Sequence, residues 1–422
     1  MRITIHRGID QIGGCITEIA TNTSKVIIDL GHNLPDGEGV ADDRLANKQA
    51  IEALTKGCSA VIYSHYHGDH IDLYKYVPDN VPQYVGGIAK EVMLCKNKRL
   101  ARIPNSPVSA EDIAKLEKLR TYQVAKKIDG LGDITVTPFV VSHSACDAYM
   151  FLIEADGKRI LHTGDFREHG YIGKGLLPTI EKYILRKPVD VLITEGTMLS
   201  RLDEKVRHEN DLKIEAIKLL KQRKYTFVLC SSTDIDRLAT FHGASKAAGR
   251  IFLCDDYQKE VLDIFSTVAT KANSPYNFDN AYFYKHGHQK QFALLKEKVF
   301  CMLIRGSRKF SFVQELIAEL GQENCLLIYS MWSGYIKSGK NQNQEYVNLY
   351  NMFDNRESLH TSGHASAYTL AKLCNTVNPQ AAIIPIHSEQ SDNFSNLDIS
   401  EELKSKVITA TTTVGGIEIV VC

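Results

Sequence analysis

The segment Tyr63-Ser64-His65-Tyr66-His67-Gly68-Asp69-His70 places three imidazoles and a carboxylate within six residues, directly after the apolar run Ala60-Val61-Ile62. Imidazole nitrogen and carboxylate oxygen suit Zn²⁺ or a similar divalent ion. Gly68 permits the tight turn that lets such donors face a common point. Four donors either crowd one ion or divide between two. Further donors follow other apolar runs: His143 after Val140-Val141-Ser142, Asp165 after Leu161-His162-Thr163-Gly164, and His387 after Ile383-Ile384-Pro385-Ile386. Singly, each reads more readily as a strand-end polar residue than as a ligand. Together they share one placement, the C-terminal tip of a buried strand, where sites gather in layered α/β proteins. His286 and His288 repeat the H-x-H spacing without a following D-H and read as non-ligands.

The elements that must position these residues are short strands. Val26 to Leu30, Ala60 to Tyr63, Tyr149 to Ile153, Arg159 to His162 and Val189 to Thr194 are apolar runs of strand length. Asp156-Gly157 between two of them is a strong hairpin signal. Ser109 opens a helix, with Asp112 three positions on and Ile113, Leu116 and Leu119 on one face. After about residue 200 the texture changes to a strand–helix alternation. Strands are expected at 226–230, 251–253, 299–304 and 325–329, with helices near 212–220, 235–247, 257–269 and 311–320. That rhythm predicts a parallel sheet covered by helices. From about 355 the chain returns to strand, loop, helix and strand, ending in Ile417 to Val421.

Composition bounds the rest. The 422 residues are 44% hydrophobic and 24% charged, which is ordinary for a globular chain of two or three domains. Lys+Arg and Asp+Glu number 50 each, so the net charge is zero. This excludes a protein that coats polyanions through a basic whole-body field, while a local basic groove stays open. The ten cysteines form no C-x-x-C pair, which excludes a zinc ribbon and a thioredoxin-type redox motif. Several lie in apolar runs, as small buried hydrophobes do. The first residues lack a signal-peptide h-region, and no apolar stretch approaches the ~18 residues of a membrane span. The expectation is a cytoplasmic protein without a membrane partner.

The order H-x-H-x-D-H, a later His and then Gly-Asp resembles the metallo-β-lactamase fold hydrolases. The resemblance continues through Thr194-Glu195-Gly196-Thr197, Thr361-Ser362-Gly363-His364-Ala365-Ser366 and Pro385-Ile386-His387-Ser388-Glu389. These look like motifs A, B and C of the β-CASP nucleases, the branch holding ribonuclease J and the cleavage-and-polyadenylation endonucleases. Ile12-Gly13-Gly14-Cys15 and Asp29-Leu30-Gly31 are similar to that branch as well. The resemblance implies an α/β fold: an αββα sandwich from residues 1–200 and 346–422, with a β-CASP domain, 201–345, inserted between them. It also implies two Zn²⁺ ions, with Mn²⁺ the other candidate. His65, His67 and His143 would hold one ion, and Asp69, His70 and His387 the other, with Asp165 bridging. A metal-bound hydroxide would attack phosphorus.

By the same resemblance, Glu195 orients His364, which can protonate the departing oxygen; the plainer reading makes Glu195 a helix N-terminal residue. Asp69, Glu195 and His364 are thus the expected catalytic groups. Ser362, Gly363, His364, Ala365 and Ser366 immediately precede a helix, where backbone N–H groups and hydroxyls make a phosphate site. Ser232, within Ser231-Ser232-Thr233, adds either a second cradle or an ordinary cap. Substrate contacts are poorly marked. Lys96 to Arg102 and Arg305 to Lys309 are small basic runs and Tyr282 to His288 mixes aromatics with cations; each reads first as a solvated face or edge strand. Asp72-Leu73 stands where many relatives carry small residues. Ribonuclease J proteins usually continue beyond this core, so a chain stopping at Cys422 would be a minimal version. The expected activity is metal-dependent hydrolysis of RNA, endonucleolytic or 5′-exonucleolytic, with single-stranded DNA as a further substrate. The alternatives are a small-ester or thioester hydrolase of the same fold, and a non-catalytic RNA-binding scaffold. Oligomeric state is not written in the sequence.

Overall fold

The computed structural model describes residues 1–34, 45, 47–285, 287–306, 312–409 and 417–420. The described residues up to 205 and from 363 onward form one compact unit, and residues 206–362 form the other. In chain order the first unit carries strands β1 (Arg2–Arg7), β2 (Ile16–Ala20), β3 (Lys25–Ile28), β4 (Ala60–Ile62), β5 (Gln83–Val85), β6 (Arg120–Thr121), β7 (Thr135–Val141), β8 (Ala148–Ala155), β9 (Lys158–His162) and β10 (Val191–Glu195). The second unit follows with β11 (Tyr225–Leu229), β12 (Ile251–Cys254), β13 (Ala281–Phe283), β14 (Phe300–Ile304), β15 (Cys325–Tyr329) and β16 (Arg356–Ser358). The chain then returns to the first unit for β17 (Ala382–Ile386) and β18 (Ile417–Val420).

Two sheets make the first unit, in the orders β18-β1-β2-β3-β4-β5-β6 and β17-β10-β9-β8-β7. Each is mixed. Strands β18 to β3 pair antiparallel and β3 to β6 parallel; β17, β10 and β9 pair parallel and β9 to β7 antiparallel. Because successive strand residues point to opposite faces, β8 feeds two cores. Phe151 and Ile153 join Ile3, Ile19, Val26, Ile28 and Ile62 of the facing sheet. Met150 and Leu152 instead meet Leu176, Ile180 and Ile184 and the helix Ala367–Val377, through its Leu370, Leu373 and Val377. The result is the expected αββα sandwich. Its hairpin between β8 and β9 turns where predicted: Asp156 and Gly157 take φ of 50° and 73°, the positive pair that a tight two-residue turn requires. The helix Ala110–Lys118 starts at Ser109 with a complete capping box. Ser109 Oγ accepts from Asp112 N at 3.1 Å, and Asp112 Oδ2 accepts from Ser109 N at 2.8 Å.

In the second unit all six strands run parallel, in the order β13-β12-β14-β11-β15-β16. Strands β11, β14 and β15 are buried along their whole length, as the uninterrupted apolar runs of a helix-covered parallel sheet require. Sequence texture ends this region near 345; pairing of β16 with β15 places residues 346–362 here too. Arg237, on the helix Ile235–Ala247, is buried with Glu209 at 3.1 Å. It also donates to Ser330 Oγ at 2.6 Å and to the Thr361 carbonyl at 3.2 Å. Removing one member of such a pair strands the other charge, at a cost of about 3–5 kcal/mol. Arg237→Ala is therefore expected to lower the urea midpoint clearly; an unchanged midpoint would show the pair to be dispensable. No helix among the described residues is long and apolar enough to cross a membrane.

Candidate metal centre

The loop 65–70 leaves β4 and is gripped through its backbone by two other segments. Cys15 N donates to the Asp69 carbonyl at 3.0 Å, Leu30 N to His70 O at 2.8 Å and His32 N to Gly68 O at 3.0 Å. Gly31 lies so close that an added Cβ would overlap the Asp69 carbonyl. Only glycine fits there, which gives the Asp29-Leu30-Gly31 segment a physical meaning. Asp29 itself has φ 60° and is buried. Its carboxylate accepts from Ser64 N at 2.6 Å, Ser64 Oγ at 2.7 Å and His70 Nδ1 at 2.8 Å.

These outer contacts fix which way each imidazole points its lone pair. Ser64 Oγ spends its proton on Asp29, so it accepts from His65 Nδ1 at 3.0 Å. His143 Nδ1 donates to the Gly363 carbonyl at 2.8 Å. The inner nitrogens, Nε2 of His65 and His143, then face His67 Nδ1 at 3.1 and 3.2 Å. One N–H cannot satisfy two lone pairs. Burial first, then neighbouring imidazoles, hold His65 and His143 well below the usual range. Burial likewise brings His67 down to about 4. Three neutral imidazoles converge, and a cation is what their lone pairs lack. Donors about 2.05 Å from a tetrahedral zinc would stand ~3.4 Å apart, close to the observed spacing.

Beside this trio lies a second set. Asp165 Oδ2 stands 3.2 Å from His70 Nε2, 3.6 Å from His387 Nε2 and 4.0 Å from His143 Nε2. Asp69 Oδ2 is 3.1 Å from His387 Nε2. Burial pulls His70 down, but Asp165, Cys15, Asp29 and Asp69 raise it well above the usual imidazole range. Burial would raise Asp69 and Asp165, yet His70 and His387 hold both well below the usual carboxylate range. His70 Nε2 is nonetheless buried without a hydrogen-bond partner. An orphaned inward nitrogen among carboxylates fits a divalent metal. All seven sequence-predicted donors thus meet in the first unit. His387 sits at φ 53°, a conformation costing on the order of 1–3 kcal/mol outside glycine, with its N–H on the Gly8 carbonyl.

Glu195 ends β10 and is buried. Its Oε1 accepts from Phe166 N at 3.0 Å and Ala365 N at 3.2 Å, while Oε2 faces His364 Nδ1 at 3.1 Å. Burial lowers His364, but Glu195 outweighs it and the imidazole is raised. Thr197 Oγ1 lies 2.7 Å from His387 Nδ1 and 3.1 Å from His364 Nδ1. Asp29, Ser64 and Thr197 were not selected as site residues from the sequence; an acid or hydroxyl ending a buried apolar strand is the signal they carry.

The expected phosphate cradle is partly committed within the protein. Ala365 N donates to Glu195, and Ser366 Oγ caps the helix Ala367–Val377 by accepting from Thr369 N at 3.2 Å. Gly363 passes close to Ser144 and His143. Ser362 and Ser232 belong to the second unit. There the cap of helix Ile235–Ala247 is Asp234, which accepts from Arg237 N, while Ser232 Oγ accepts from Gln258 at 3.3 Å. Of the aromatic and basic runs, Tyr282 and Phe283 are exposed on the edge strand β13, and Arg305 pairs with Asp255 at 2.8 Å. His286 and residues 307–309 lie outside the described residues.

Comparison with known proteins gives the same picture. Residues 34–241 match the family described as a beta-lactamase superfamily domain. Residues 354–409 match a Zn-dependent metallo-hydrolase RNA specificity domain. An RNase J-like protein of Methanocaldococcus jannaschii is 28% identical over 208 residues, 48% of this chain and 44% of the relative. Ribonuclease J of Helicobacter pylori is 25% identical over 173 residues, 40% of this chain and 23% of the relative. The matched region thus spans less than half of either curated relative. A crystal structure of a protein of unknown function from Enterococcus faecalis V583 superposes with a TM-score of 0.73, covering 100% of this chain and 99% of that one at 21% identity. That likeness speaks to the fold. The motif order, the sandwich, both family matches and the ribonuclease J relatives together support a β-CASP, ribonuclease J-like family for this chain.

Proposed function

We propose that this chain is a two-metal phosphodiesterase that hydrolyses RNA. One ion would be held by His65, His67 and His143 and the other by Asp69, His70 and His387, with Asp165 shared. The supporting observation is the convergence of inward donors: the Nε2 atoms of His65 and His143 both face His67 Nδ1, and His70 Nε2 is buried without a hydrogen bond. The match to an RNA specificity domain and the ribonuclease J relatives support RNA as the substrate. Zinc is the first choice for this imidazole-rich set, and Mn²⁺ the second. Such ions lower the pKa of bound water and offset charge on phosphoryl oxygens.

The protein's own groups would do the rest. Asp29, Ser64, Thr197 and the Gly363 carbonyl hold the ligand rings in one tautomer, so no reorganisation is needed as substrate arrives. Glu195 keeps a proton on His364 Nδ1 and favours the charged ring, leaving Nε2 to give its proton to the departing oxygen. The test is digestion of end-labelled RNA carrying a 5′ monophosphate or triphosphate by the zinc-loaded chain. Single-stranded DNA and small esters and thioesters are run beside it. Metal-dependent RNA cleavage is expected, and the ladder reports endonucleolytic or 5′-exonucleolytic action. Stoichiometrically loaded protein that leaves RNA intact while hydrolysing an ester would overturn the reading.

A further inference from the structure

The second donor set contains a group that the two-metal reading does not use. Cys15 Sγ and the ring nitrogens of His70 and His387 all lie within 4.8 Å of one another, and all three residues are buried. The thiol's position is imposed by the backbone: Cys15 N donates to the Asp69 carbonyl at 3.0 Å, and Cys15 O accepts from Gly31 N at 3.2 Å. Cys15 is therefore tied to the ligand loop on one side and to Gly31 on the other. Gly8 leaves room for the sulfur, since a Cβ there would come within 3.0 Å of it, and the Gly8 carbonyl also accepts from His387 N. Independently of the cysteine, His70 Nε2 has no hydrogen-bond partner. A buried imidazole whose Nε2 has no hydrogen bond and a sulfur within 4.8 Å of a nitrogen of that ring can share one ion. The other described cysteines are buried too, but among the described residues only Cys15 belongs to a set able to hold a metal.

We propose that Cys15 Sγ is a further ligand for the ion on the His70–His387 side, resting on the two-metal reading above. A metal-bound thiol gives up its proton, here to solvent, and binds as thiolate. Zn–S bonds of about 2.3 Å and Zn–N bonds of about 2.0–2.1 Å set tetrahedral donors about 3.6 Å apart, so side chains already within 4.8 Å of one another would draw in slightly on binding. A sulfur donor makes that side softer than the three-imidazole side, and so more selective for zinc over manganese or magnesium. Occupancy would then differ between the two positions when Mn²⁺ is offered.

Co²⁺ titration of the full chain tests this. Wild-type protein should show a sulfur-to-cobalt charge-transfer band in the near ultraviolet. Cys15→Ser should lose it while retaining the visible ligand-field bands of cobalt held by imidazoles. Cys58→Ser, which alters a distant cysteine, should keep the band. In chelator competition Cys15→Ser should release one ion more readily by about 10-fold or more, at least what loss of an outer-shell partner costs. Two bound Co²⁺ ions in wild type without the band overturn the proposal and leave the two-metal reading intact. Wild type that binds no Co²⁺ overturns both. The wild-type spectrum decides even where a variant fails to fold.

Discussion

Asp165→Asn is expected to fold, to bind at most one metal ion, and to lose RNA cleavage by about 10⁴-fold or more, some ~5.4 kcal/mol of transition-state stabilisation. Asparagine keeps the shape but removes the charge that His70, His387 and His143 surround at 3.2, 3.6 and 4.0 Å. Asp69 does not replace it, because it approaches from the His387 side, at 3.1 Å, and stands 4.0 Å from His70 Nε2. The loss should appear in metal content by elemental analysis before it appears in the assay, with circular dichroism unchanged. Two retained ions together with wild-type cleavage would remove Asp165 from the centre of the site.

Why this residue could be picked from the sequence, and others could not, has a physical basis. His65, His67, Asp69 and His70 lie within six residues, so their common direction follows from local chain geometry. Asp165, His143 and His387 are distant in sequence, yet each ends an apolar strand, and strands of a layered fold deliver their ends to one edge. Asp29 and Thr197 obey the same rule, but their duty is to hydrogen-bond a ring nitrogen 41 and 190 positions away. Nothing in the local pattern announces such a partner. Cys15 is harder still, because a cysteine in an apolar stretch reads as filler until the fold sets it beside two imidazoles.

The fold itself divides along the same line. Helix Ile235–Ala247 and strand β15 fall where period and length put them, and Asp156-Gly157 turns as its residue types demand. Short β5 and β6 carry too few residues for a period to be read. The mixed parallel and antiparallel order of the first unit's sheets depends on long-range pairing rather than local pattern. The Ser231-Ser232-Thr233 run looked like a cap or a cradle. The helix takes Asp234 instead, because a carboxylate there accepts from Arg237 N and favours the helix N-terminus.

His364→Ala separates proton donation from metal binding. Its ring is expected to leave both ions in place, since Asp165 keeps His70 and His387 as partners, and to cost about 10²–10⁴-fold in cleavage of RNA, the usual worth of a positioned acid. A departing ribose oxygen needs a proton; a p-nitrophenolate does not. Hydrolysis of bis(p-nitrophenyl) phosphate by the variant should therefore stay within about tenfold of wild type, a gap of ~1.4 kcal/mol. Glu195→Gln should follow it on both substrates, more weakly, because an amide can still accept at one oxygen from Phe166 N and Ala365 N while losing the charge that favours the protonated ring. Equal losses on RNA and on the activated ester would mean that His364 shapes the site or binds phosphate instead of supplying a proton, and Glu195 would then be its structural anchor alone.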